Sequence, residues 1–465
     1  MMKILFVVYD NEGAFNTLPL GACYVAAYLR KHGYKDITFY SQDVYHYPEH
    51  HLTAYLNENR FDIVAMGFVA GYHQHRKILR ICEAINKSDN RPFLVLAGHG
   101  PTPVPEFYIQ KTGADAVILG EGEISFLNLV KALENNSSLG TVRGIAYKNG
   151  EQCIMNQREM TVKHIDELPE PYLDGLPMEY YINGKFPYHG MKKTDRMMVA
   201  LSSRGCSYHC NFCQRLEAGY RMRSPEAIVE EIKKYKRDYN ISFVIFLCEL
   251  FMVSEKRAVQ LAEAIIRADL NIRYWCTGRV NVATEKGLSL LKRSGCVCID
   301  YGIEQFDNQS LLAMNKNQNE DHIMNAIELT QKAGISVAFN IIWGNKGDTK
   351  ESLKKSVNLL NRYNDFLQLR VIRPVTPYPG TPLYDECVQS GLLRGPEDFY
   401  EKHKNVELLT VNMTEISEDD FYKTLFETNQ EIIRNFYNDK LNQDVDSFRQ
   451  VYFGGEYGYR GARHQ

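Results

Sequence analysis

Three cysteines in the middle of the chain could together hold a metal centre. Cys206, Cys210 and Cys213 follow the spacing Cys-x3-Cys-x2-Cys. Thiolate ligands suit iron–sulfur clusters and zinc. A structural zinc usually takes four protein ligands, and His209, directly beside Cys210, would have difficulty turning to the same ion. Three thiolates leave one iron of a [4Fe–4S] cube open for a substrate or cofactor, so we favour the cluster over zinc or no metal.

The composition excludes several classes of protein. The chain has 465 residues, 11 cysteines and a net charge of −3, which gives no basic surplus for nucleic acid. The odd cysteine count argues against a disulfide framework, and the eight cysteines outside the cluster are expected to be small buried hydrophobes. The N-terminal apolar run is too short for a signal peptide, and no stretch of 18 apolar residues predicts a membrane span. We therefore expect a cytoplasmic protein.

Residues 1–140 are predicted to form a doubly wound, Rossmann-like domain. Strands alternate with helices along this segment, which indicates a parallel sheet. Glycine-rich loops such as Gly98-His99-Gly100 and Gly120-Glu121-Gly122 follow two of the strands. Ligands bind beyond the carboxyl ends of such strands, and glycine lets a backbone approach a bulky ligand. Residues 141–195 are predicted to contain a short strand pair and then a linker.

Residues 196–384 are predicted to form a full or partial (β/α) barrel of about six βα units. Its first strand, Met197–Ser202, leads directly into the cysteines, and its last is expected at Gln368–Ile372. Function in such barrels belongs at the carboxyl ends of the strands, where the cysteine loop would lie. Ser224 and Pro225 predict the start of a helix. Residues 385–465 are predicted to be a helical region that closes the barrel mouth, with a loose tail.

The barrel segment resembles the radical S-adenosylmethionine (SAM) superfamily. The resemblance depends on the cysteine spacing with the aromatic Phe212 before the third cysteine, on Gly302-Ile303-Glu304, and on loops at Gly344–Thr349 and Tyr378–Leu383. It implies that the open iron of a [4Fe–4S] cluster chelates the amino and carboxylate groups of SAM. Reduction of the cluster would then cleave SAM to a 5′-deoxyadenosyl radical.

The resemblance also implies SAM-binding residues. Phe212, Glu249, Arg279 and Glu304 are the candidates, with Glu304 expected to contact the ribose hydroxyls. A Glu at a strand end can also be an ordinary surface residue. Relatives often carry two acids, a small residue and Phe where this chain reads Cys248-Glu249-Leu250-Phe251, so only Glu249 and Phe251 keep the pattern. Cys248 could be a core residue or a functional thiol that faces the cavity.

Residues 3–133 resemble the cobalamin-binding domain that precedes the barrel in one radical SAM subgroup. The motifs are Leu18–Gly21, Ala97–Thr102 and Gly120–Glu123. The resemblance implies cobalamin, with Gly98, His99, Gly120 and Glu121 as contacts. Cobalamin domains that ligate cobalt through His use Asp-x-His-x-x-Gly, whereas this chain reads Asp10-Asn11-Glu12-Gly13, so no His ligand is expected there. His73 and His75 are expected to be loop histidines in solvent.

The leading functional hypothesis is a cobalamin-dependent radical SAM methyltransferase that acts on a small molecule or natural-product intermediate. An external donor such as flavodoxin or ferredoxin would supply the electron, and the catalytic acid–base residues are unknown. The alternative is a radical cyclase, dehydratase or rearrangement enzyme, with a cobalamin-like domain that can be empty. A third is a non-enzymatic cobalamin carrier, against which the cysteines and Glu304 argue. Arg370 and Arg373 could bind an anionic substrate group or be structural.

Overall fold

A seven-stranded sheet forms the N-terminal part of the computed structural model, which describes residues 2–10, 17–184, 190–365 and 367–453. Its strands are β1 (Ile4–Val8), β2 (Ile37–Ser41), β3 (Ile63–Gly67), β4 (Phe93–Ala97), β5 (Ala116–Ile118), β6 (Ile145–Asn149) and β7 (Gln152–Met155). They lie in the order β2-β1-β3-β4-β5-β6-β7, and the first five are parallel. The order reverses between β1 and β3, which is where doubly wound sheets bind ligands.

Helices cover both faces of this sheet, as the doubly wound prediction requires. They are α1 (Leu20–Lys31), α2 (Gln42–Tyr45), α3 (Glu49–Glu58), α4 (Tyr72–Asn86), α5 (Pro105–Thr112) and α6 (Gly122–Glu134). Ile4 and Phe6 belong to the same core as the inner residues of α1 and α6, whereas Leu5 and Val7 belong to the core under α3, α4 and α5. Since both faces are buried, the strands are almost continuously apolar.

The predicted strand pair after residue 140 is present as β6 and β7. Both pair antiparallel, β6 with β5 and β7 with β6, and so extend the N-terminal sheet. A short helix, α7 (Met178–Ile182), precedes the second sheet. β2, α2 and α3 were not predicted from the sequence, because these segments have little hydrophobic periodicity.

The second sheet is a partial barrel of six parallel strands. The strands after residue 195 are β8 (Met197–Ala200), β9 (Ser203–Cys206), β10 (Gly219–Met222), β11 (Phe243–Phe246), β12 (Arg273–Gly278), β13 (Cys296–Glu304), β14 (Ser336–Trp343) and β15 (Arg373–Pro374). The sheet has the order β8-β11-β12-β13-β14-β15, with β8 and β15 as its edges, while β9 and β10 form a separate antiparallel hairpin. The fold class predicted from the sequence is therefore confirmed.

The strand predicted at Gln368–Ile372 is wrong. The last strand is instead the two-residue β15, Arg373–Pro374. The backbone of Ile372 is bonded to a side chain: its N–H donates to Asn429 Oδ1 at 2.8 Å, and its carbonyl accepts from Asn429 Nδ2 at 3.0 Å. A helix from the C-terminal region thus takes the hydrogen bonds that a neighbouring strand would have used.

Helices connect the strands of the partial barrel and continue to the C-terminus. They are α8 (Pro225–Tyr239), α9 (Glu255–Arg267), α10 (Glu285–Arg293), α11 (Asn308–Ala313), α12 (Glu320–Lys332), α13 (Lys350–Tyr363), α14 (Pro382–Gln389), α15 (Pro396–Lys402) and α16 (Glu418–Phe453). The predicted N-cap of α8 is confirmed, because Ser224 Oγ accepts from the N–H of Ala227 at 3.2 Å. None of the helices in the described part of the chain is long and apolar enough to cross a membrane.

The C-terminal region packs on both sheets. Phe421 of α16 stacks on Trp343 at the end of β14, with 4.2 Å between the ring centroids. Tyr400 of α15 stacks on His75 of α4 at 4.0 Å. His75 is only 8% exposed, so the prediction of a solvated loop histidine at this position is wrong. The predicted loose tail, from residue 454 onward, lies outside the described residues.

Candidate active site

One cavity separates the carboxyl edge of the N-terminal sheet from the mouth of the partial barrel. Its volume is about 550 Å³. The N-terminal wall comes from α1, from β1, β3, β4 and the loops after β4 and β5, and from the start of α6; the opposite wall comes from the β9 hairpin and the loop after β11. Five of the predicted cofactor-binding residues line it, namely Gly98, His99, Gly120, Glu121 and Glu249.

The cavity has both apolar and polar lining. Phe6 of β1 and Ala65 of β3 line it close to the point where the strand order reverses, and Phe126 lines it from α6. Polar groups of His99 and Glu249 line it as well. Burial lowers the pKa of His99, against the opposing influence of the Glu249 carboxylate, so this imidazole is neutral at pH 7. An amphipathic ligand matches this distribution of groups.

Two glycines give the cavity wall its shape. Gly98 and Gly120 have φ values of +96° and +95°, a conformation that L-residues with side chains rarely adopt. A Cβ atom at Gly98 would lie 2.7 Å from the carbonyl oxygen of Phe68, and one at Gly120 would lie 1.8 Å from Glu217 Oε1. The sequence needs glycine at both positions because the backbone has a positive φ there, and at Gly98 the neighbouring backbone also leaves no room for a side chain.

The cysteines lie at the end of β9 and in the loop that connects β9 to β10. Cys206 ends β9 and pairs with Gly219, and the loop from Cys206 to Gly219 holds the other two thiols. Cys206 is half-buried, Cys210 is buried and Cys213 is exposed. Burial, followed by the negative charge of Cys210 and then that of Cys206, raises the pKa of Cys213 to about 11. The three sulfur atoms are therefore close enough to interact electrostatically.

The three thiols of this loop could hold an iron–sulfur cluster. Among the described residues, no three His, Cys, Asp or Glu side chains converge as ligands of one metal ion. A [4Fe–4S] cube is larger than one ion, so its thiolates need not converge on a point. His209 is exposed, and its carbonyl accepts a hydrogen bond from Asn315 Nδ2 at 2.8 Å.

Two buried cations face the cysteine loop from the barrel. Arg279 Nη1 lies 3.9 Å from Cys210 Sγ, and its guanidinium lies 3.9 Å from the ring centroid of Tyr208. Lys316 Nζ lies 2.8 Å from Glu304 Oε1 and 5.4 Å from the ring centroid of Phe212. Positive groups at this distance favour thiolate over thiol. Phe212, Arg279 and Glu304, which were predicted from separate segments, thus meet around one loop.

Comparison with known proteins agrees with this geometry. Residues 201–360 match the radical SAM superfamily, and residues 7–130 match the B12 binding domain. The chain is a radical SAM protein with an N-terminal B12-binding domain. An uncharacterized methyltransferase of Pyrococcus horikoshii is 28% identical over 406 residues, which cover 84% of each chain. An anaerobic magnesium-protoporphyrin IX monomethyl ester cyclase of Rubrivivax gelatinosus is 26% identical over 83% of this chain and 70% of its own.

A solved structure shows the same fold. The radical SAM methyltransferase TsrM from Kitasatospora setae, with a tryptophan substrate and a SAM analogue bound, has a TM-score of 0.70. It is 15% identical in sequence, and the match covers 84% of this chain and 76% of TsrM. The likeness at this level of identity shows that the two proteins share a fold.

Glu304 of the radical SAM domain has an unusual backbone. Its φ is +63°, in the left-handed region, and the register between β13 and β14 shifts between Gly302 and Glu304. A non-glycine residue in this conformation costs about 1–2 kcal/mol. This strain turns the carboxylate toward Lys316 and the cysteine loop. Lys316 was missed from the sequence, because a Lys between Asn315 and Asn317 has the pattern of an exposed turn.

Glu249, in the loop after β11, contacts the hairpin that holds the cysteines. Its Oε2 accepts from the N–H of Gly205 at 3.1 Å, one residue before Cys206. It also lines the cavity of the B12-binding domain. Cys248, beside it, is buried and lies 3.3 Å from Ser202 Oγ; it lines the same cavity.

Glu121 of the B12-binding domain is held by arginines of the radical SAM domain. Its Oε2 accepts from Arg204 and from Arg221, each at 3.1 Å, and a second Arg221 bond goes to Oε1. Arg204 also donates to Glu123 Oε1 at 2.7 Å. We call Glu121, Glu123, Arg204 and Arg221 the interdomain ion cluster. This cluster was not predicted from the sequence, since its acidic and basic members lie about 80 to 100 residues apart.

The loop after β1, where cobalamin domains with a His ligand carry that residue, is largely outside the described residues. Of the segment Asp10-Asn11-Glu12-Gly13, only Asp10 is described. Its carboxylate lies 2.6 Å from His46 Nδ1. His73 and His75 are on α4, and neither lines the cavity.

Proposed function

We propose that the protein is a cobalamin-dependent radical SAM methyltransferase that acts on a small molecule. The observation that carries this proposal is the single cavity that both domains share. Gly98 and His99 of the B12-binding domain line it together with Glu249 and Gly205 of the radical SAM domain. Gly205 directly precedes Cys206. Methyl transfer to a carbon radical needs the methyl donor and the radical generator in one enclosed space, and this cavity supplies it.

The radical SAM site is assigned to seven residues. We propose Cys206, Cys210 and Cys213 as the cluster ligands and Phe212, Glu249, Arg279 and Glu304 as SAM contacts. When bound, the cluster and SAM supply reductive cleavage to a 5′-deoxyadenosyl radical, which removes hydrogen from an unactivated carbon. The chain's own residues position these groups: Arg279 Nη1 donates toward Cys210 Sγ, and Glu249 fixes the backbone before Cys206.

The cobalamin site is assigned to Gly98, His99, Gly120 and Glu121. Cobalamin, when bound, supplies the methyl group. Gly98 and Gly120 present no side chain to the ligand, so the backbone can approach it closely, and the apolar lining excludes water. His99 is half-buried and burial lowers its pKa, so the neutral ring can both donate and accept a hydrogen bond without adding charge. The carboxylate of Glu121 is already bonded to two arginines, so its contact with the ligand would come from its backbone.

Electron entry is assigned to the exposed side of the cysteine loop. Cys213 is the exposed member of the three, and a one-electron donor such as flavodoxin or ferredoxin can approach it there. The other two thiols are shielded, which protects the reacting centre from solvent. The electron donor, like the methyl transfer, is part of our proposal.

One reconstitution experiment tests the proposed reaction. The protein is loaded anaerobically with iron and sulfide, with and without cobalamin, and is given SAM and a reductant. Bound corrinoid together with S-adenosylhomocysteine and 5′-deoxyadenosine is the expected result. If 5′-deoxyadenosine forms while no corrinoid binds, methyl transfer fails and the cyclase or rearrangement alternative replaces it. The cyclase relatives make that outcome a concrete alternative.

Cysteine variants test the cluster ligands. Cys206→Ala, Cys210→Ala and Cys213→Ala should each remove most of the visible absorbance and abolish cleavage of SAM, because a cube with fewer protein thiolates is not retained. Cys153→Ala is the matched control, since this half-buried thiol lies on β7 outside the cavity. Full absorbance in the triple variant would overturn the assignment.

A further inference from the structure

Side chains along each strand of the partial barrel alternate between its inner face and its outer face. Tyr301 of β13 faces outward, because its hydroxyl lies 3.0 Å from Thr330 Oγ1 on α12. Residues next to it in the strand therefore face inward. An apolar group on this inner face forms its own small core, which we call the barrel floor: Met197, Phe243, Ile245, Trp275, Cys298 and Ala338.

Two polar side chains lie above the barrel floor on neighbouring strands. Asp300 is two residues beyond Cys298 on β13, and Asn340 is two residues beyond Ala338 on β14. Asn340 Nδ2 donates to Asp300 Oδ1 at 2.7 Å. Asn340 is exposed and Asp300 half-exposed, although both belong to inner strands of a parallel sheet that normally bury both faces. The inner face at this level is therefore open to a ligand.

The pair lies directly below the SAM-binding residues. Gly302 separates Asp300 from Glu304, and a Cβ atom at Gly302 would lie 2.8 Å from Glu304 Oε1 and 2.9 Å from Lys316 Nζ. Two residues of a strand span about 7 Å. A group bound at Asp300 would thus hold its neighbouring carbon atoms beside the place assigned to the SAM ribose.

The two arginines near this site differ. Burial raises the pKa of Asp300 to about 6 against the opposing positive charge of Arg370, whereas Arg373 is paired elsewhere. Arg370 is buried, and its Nη1 donates to the carbonyl of Phe339 at 3.2 Å. Arg373 pairs with Glu407 at 2.7 Å. The groups that the open inner face presents are acceptors, namely the second carboxylate oxygen of Asp300 and the amide oxygen of Asn340. Neither oxygen has another hydrogen bond within the part of the chain that is described.

We propose that Asp300 and Asn340 bind a protonated amine of the substrate, whose apolar body rests on the barrel floor. This inference depends on the proposed function, since it assigns the substrate class of the same enzyme. An ammonium group has three N–H donors, and it matches a carboxylate and an amide oxygen placed side by side. A carboxylate or phosphate group would meet the negative charge of Asp300 and is therefore expected to bind less tightly than an amine.

A pair of probes with opposite charge and similar shape tests the proposal. Phenethylamine and 3-phenylpropionate are titrated separately into the reconstituted protein with SAM, and dissociation constants are measured by ligand-detected NMR. The amine should bind at least about 10-fold more tightly than the acid. Asp300→Asn should weaken amine binding by about 10- to 100-fold, because a charge-assisted hydrogen bond is lost. Asn340→Ala should weaken it less.

Controls separate this proposal from the proposed function. Asp321→Asn changes an exposed carboxylate on α12 and should leave amine binding unchanged. Cluster absorbance and SAM binding are measured in every variant, so a misfolded protein is recognised. The amine proposal fails if the acid binds equally well, if neither probe binds, or if Asp300→Asn binds the amine normally. None of these outcomes depends on whether methyl transfer occurs.

Discussion

At the scale of single residues, backbone conformation carries as much information about the site as side-chain chemistry does. Gly98, Gly120 and Glu304 all have positive φ values at the edge of the shared cavity or of the cysteine loop. For the glycines this conformation is free of strain, whereas for Glu304 the surrounding contacts must compensate for it. The positions of these three residues follow from where strands end in the two sheets.

Gly120→Ala should lose cobalamin binding for a steric reason. The new Cβ would lie 1.8 Å from Glu217 Oε1, and that side chain would have to move toward the cavity. Gly150→Ala is the matched control, because Gly150 also has a positive φ but no atom within 4 Å of a new Cβ. Both variants should lose about 1 kcal/mol of unfolding free energy. Only Gly120→Ala should bind less corrinoid, measured by absorbance after gel filtration; equal binding by both would contradict this.

Residue types and spacing predicted the cysteine cluster but not its surroundings. The three thiols are local in sequence, so a spacing alone could identify them. Lys316 and the interdomain ion cluster have partners far away in the chain, and such pairs leave no local pattern. The individual roles of the eight predicted cofactor-binding residues stay predictions, although five of them line the cavity and the other three lie around the cysteine loop. Glu121, one of the five, also belongs to the ion cluster.

At the scale of helices and strands, the periodic segments were predicted well and the edges were not. Inner strands such as β3 and β11 are continuous apolar runs and were found from the sequence. The edge strands β2 and β15 were missed or misplaced. An edge strand has only one neighbouring strand, so contacts with other elements determine where it forms. Asn429, for example, accepts the hydrogen bond of the Ile372 N–H, which a neighbouring strand would otherwise accept. The domain boundaries at residues 140, 195 and 384 stay predictions.

The seam between α4, α5 and α15 should weaken in acid. Burial lowers the pKa of His75 to about 4, while an unfolded chain has its ordinary value near 6.5. Between these values the unfolded chain binds a proton that folded His75 does not, so stability is complete above pH 6.5 and falls as the pH drops. The loss by pH 4.5 should be on the order of 2 kcal/mol.

Urea unfolding at pH 7.5 and pH 4.5 measures this effect. His75→Phe keeps the ring that stacks on Tyr400 and removes the titrating group, so its stability should depend less on pH than that of the unchanged protein. His50→Phe, at an exposed position of α3, is the control and should keep the full dependence. An unchanged pH dependence in His75→Phe would show that other groups cause the loss.

At the scale of the whole molecule, the interdomain ion cluster fixes one cofactor domain against the other. Arg204 and Arg221 lie on the two strands of the hairpin that encloses the cysteines, and Glu121 and Glu123 flank a cavity glycine. Because these groups are mostly buried, removing one partner leaves an uncompensated charge. Movement of the hairpin would change the distance between the two cofactors without changing either binding site.

Arg204→Met should therefore uncouple the two half-reactions. We expect 5′-deoxyadenosine to form at a rate within about 3-fold of normal, while S-adenosylhomocysteine falls by about 10-fold or more. Glu231→Gln is the control, because it breaks another buried pair, with Arg223 at 2.8 Å, away from the cavity. Both variants should lose about 3 kcal/mol of stability. A parallel fall of both products in Arg204→Met would mean that the ion cluster is only structural.

The packing of α14 and α15 on the N-terminal sheet also fixes when folding can finish. The core under α4 and α5 includes Tyr384, Phe399, Tyr400 and Val411 from the last fifth of the chain. During synthesis the first domain emerges several hundred residues before these side chains exist. Its face over α4 and α5 must therefore stay exposed on the ribosome until the partial barrel has been synthesised. A chaperone would bind this exposed face.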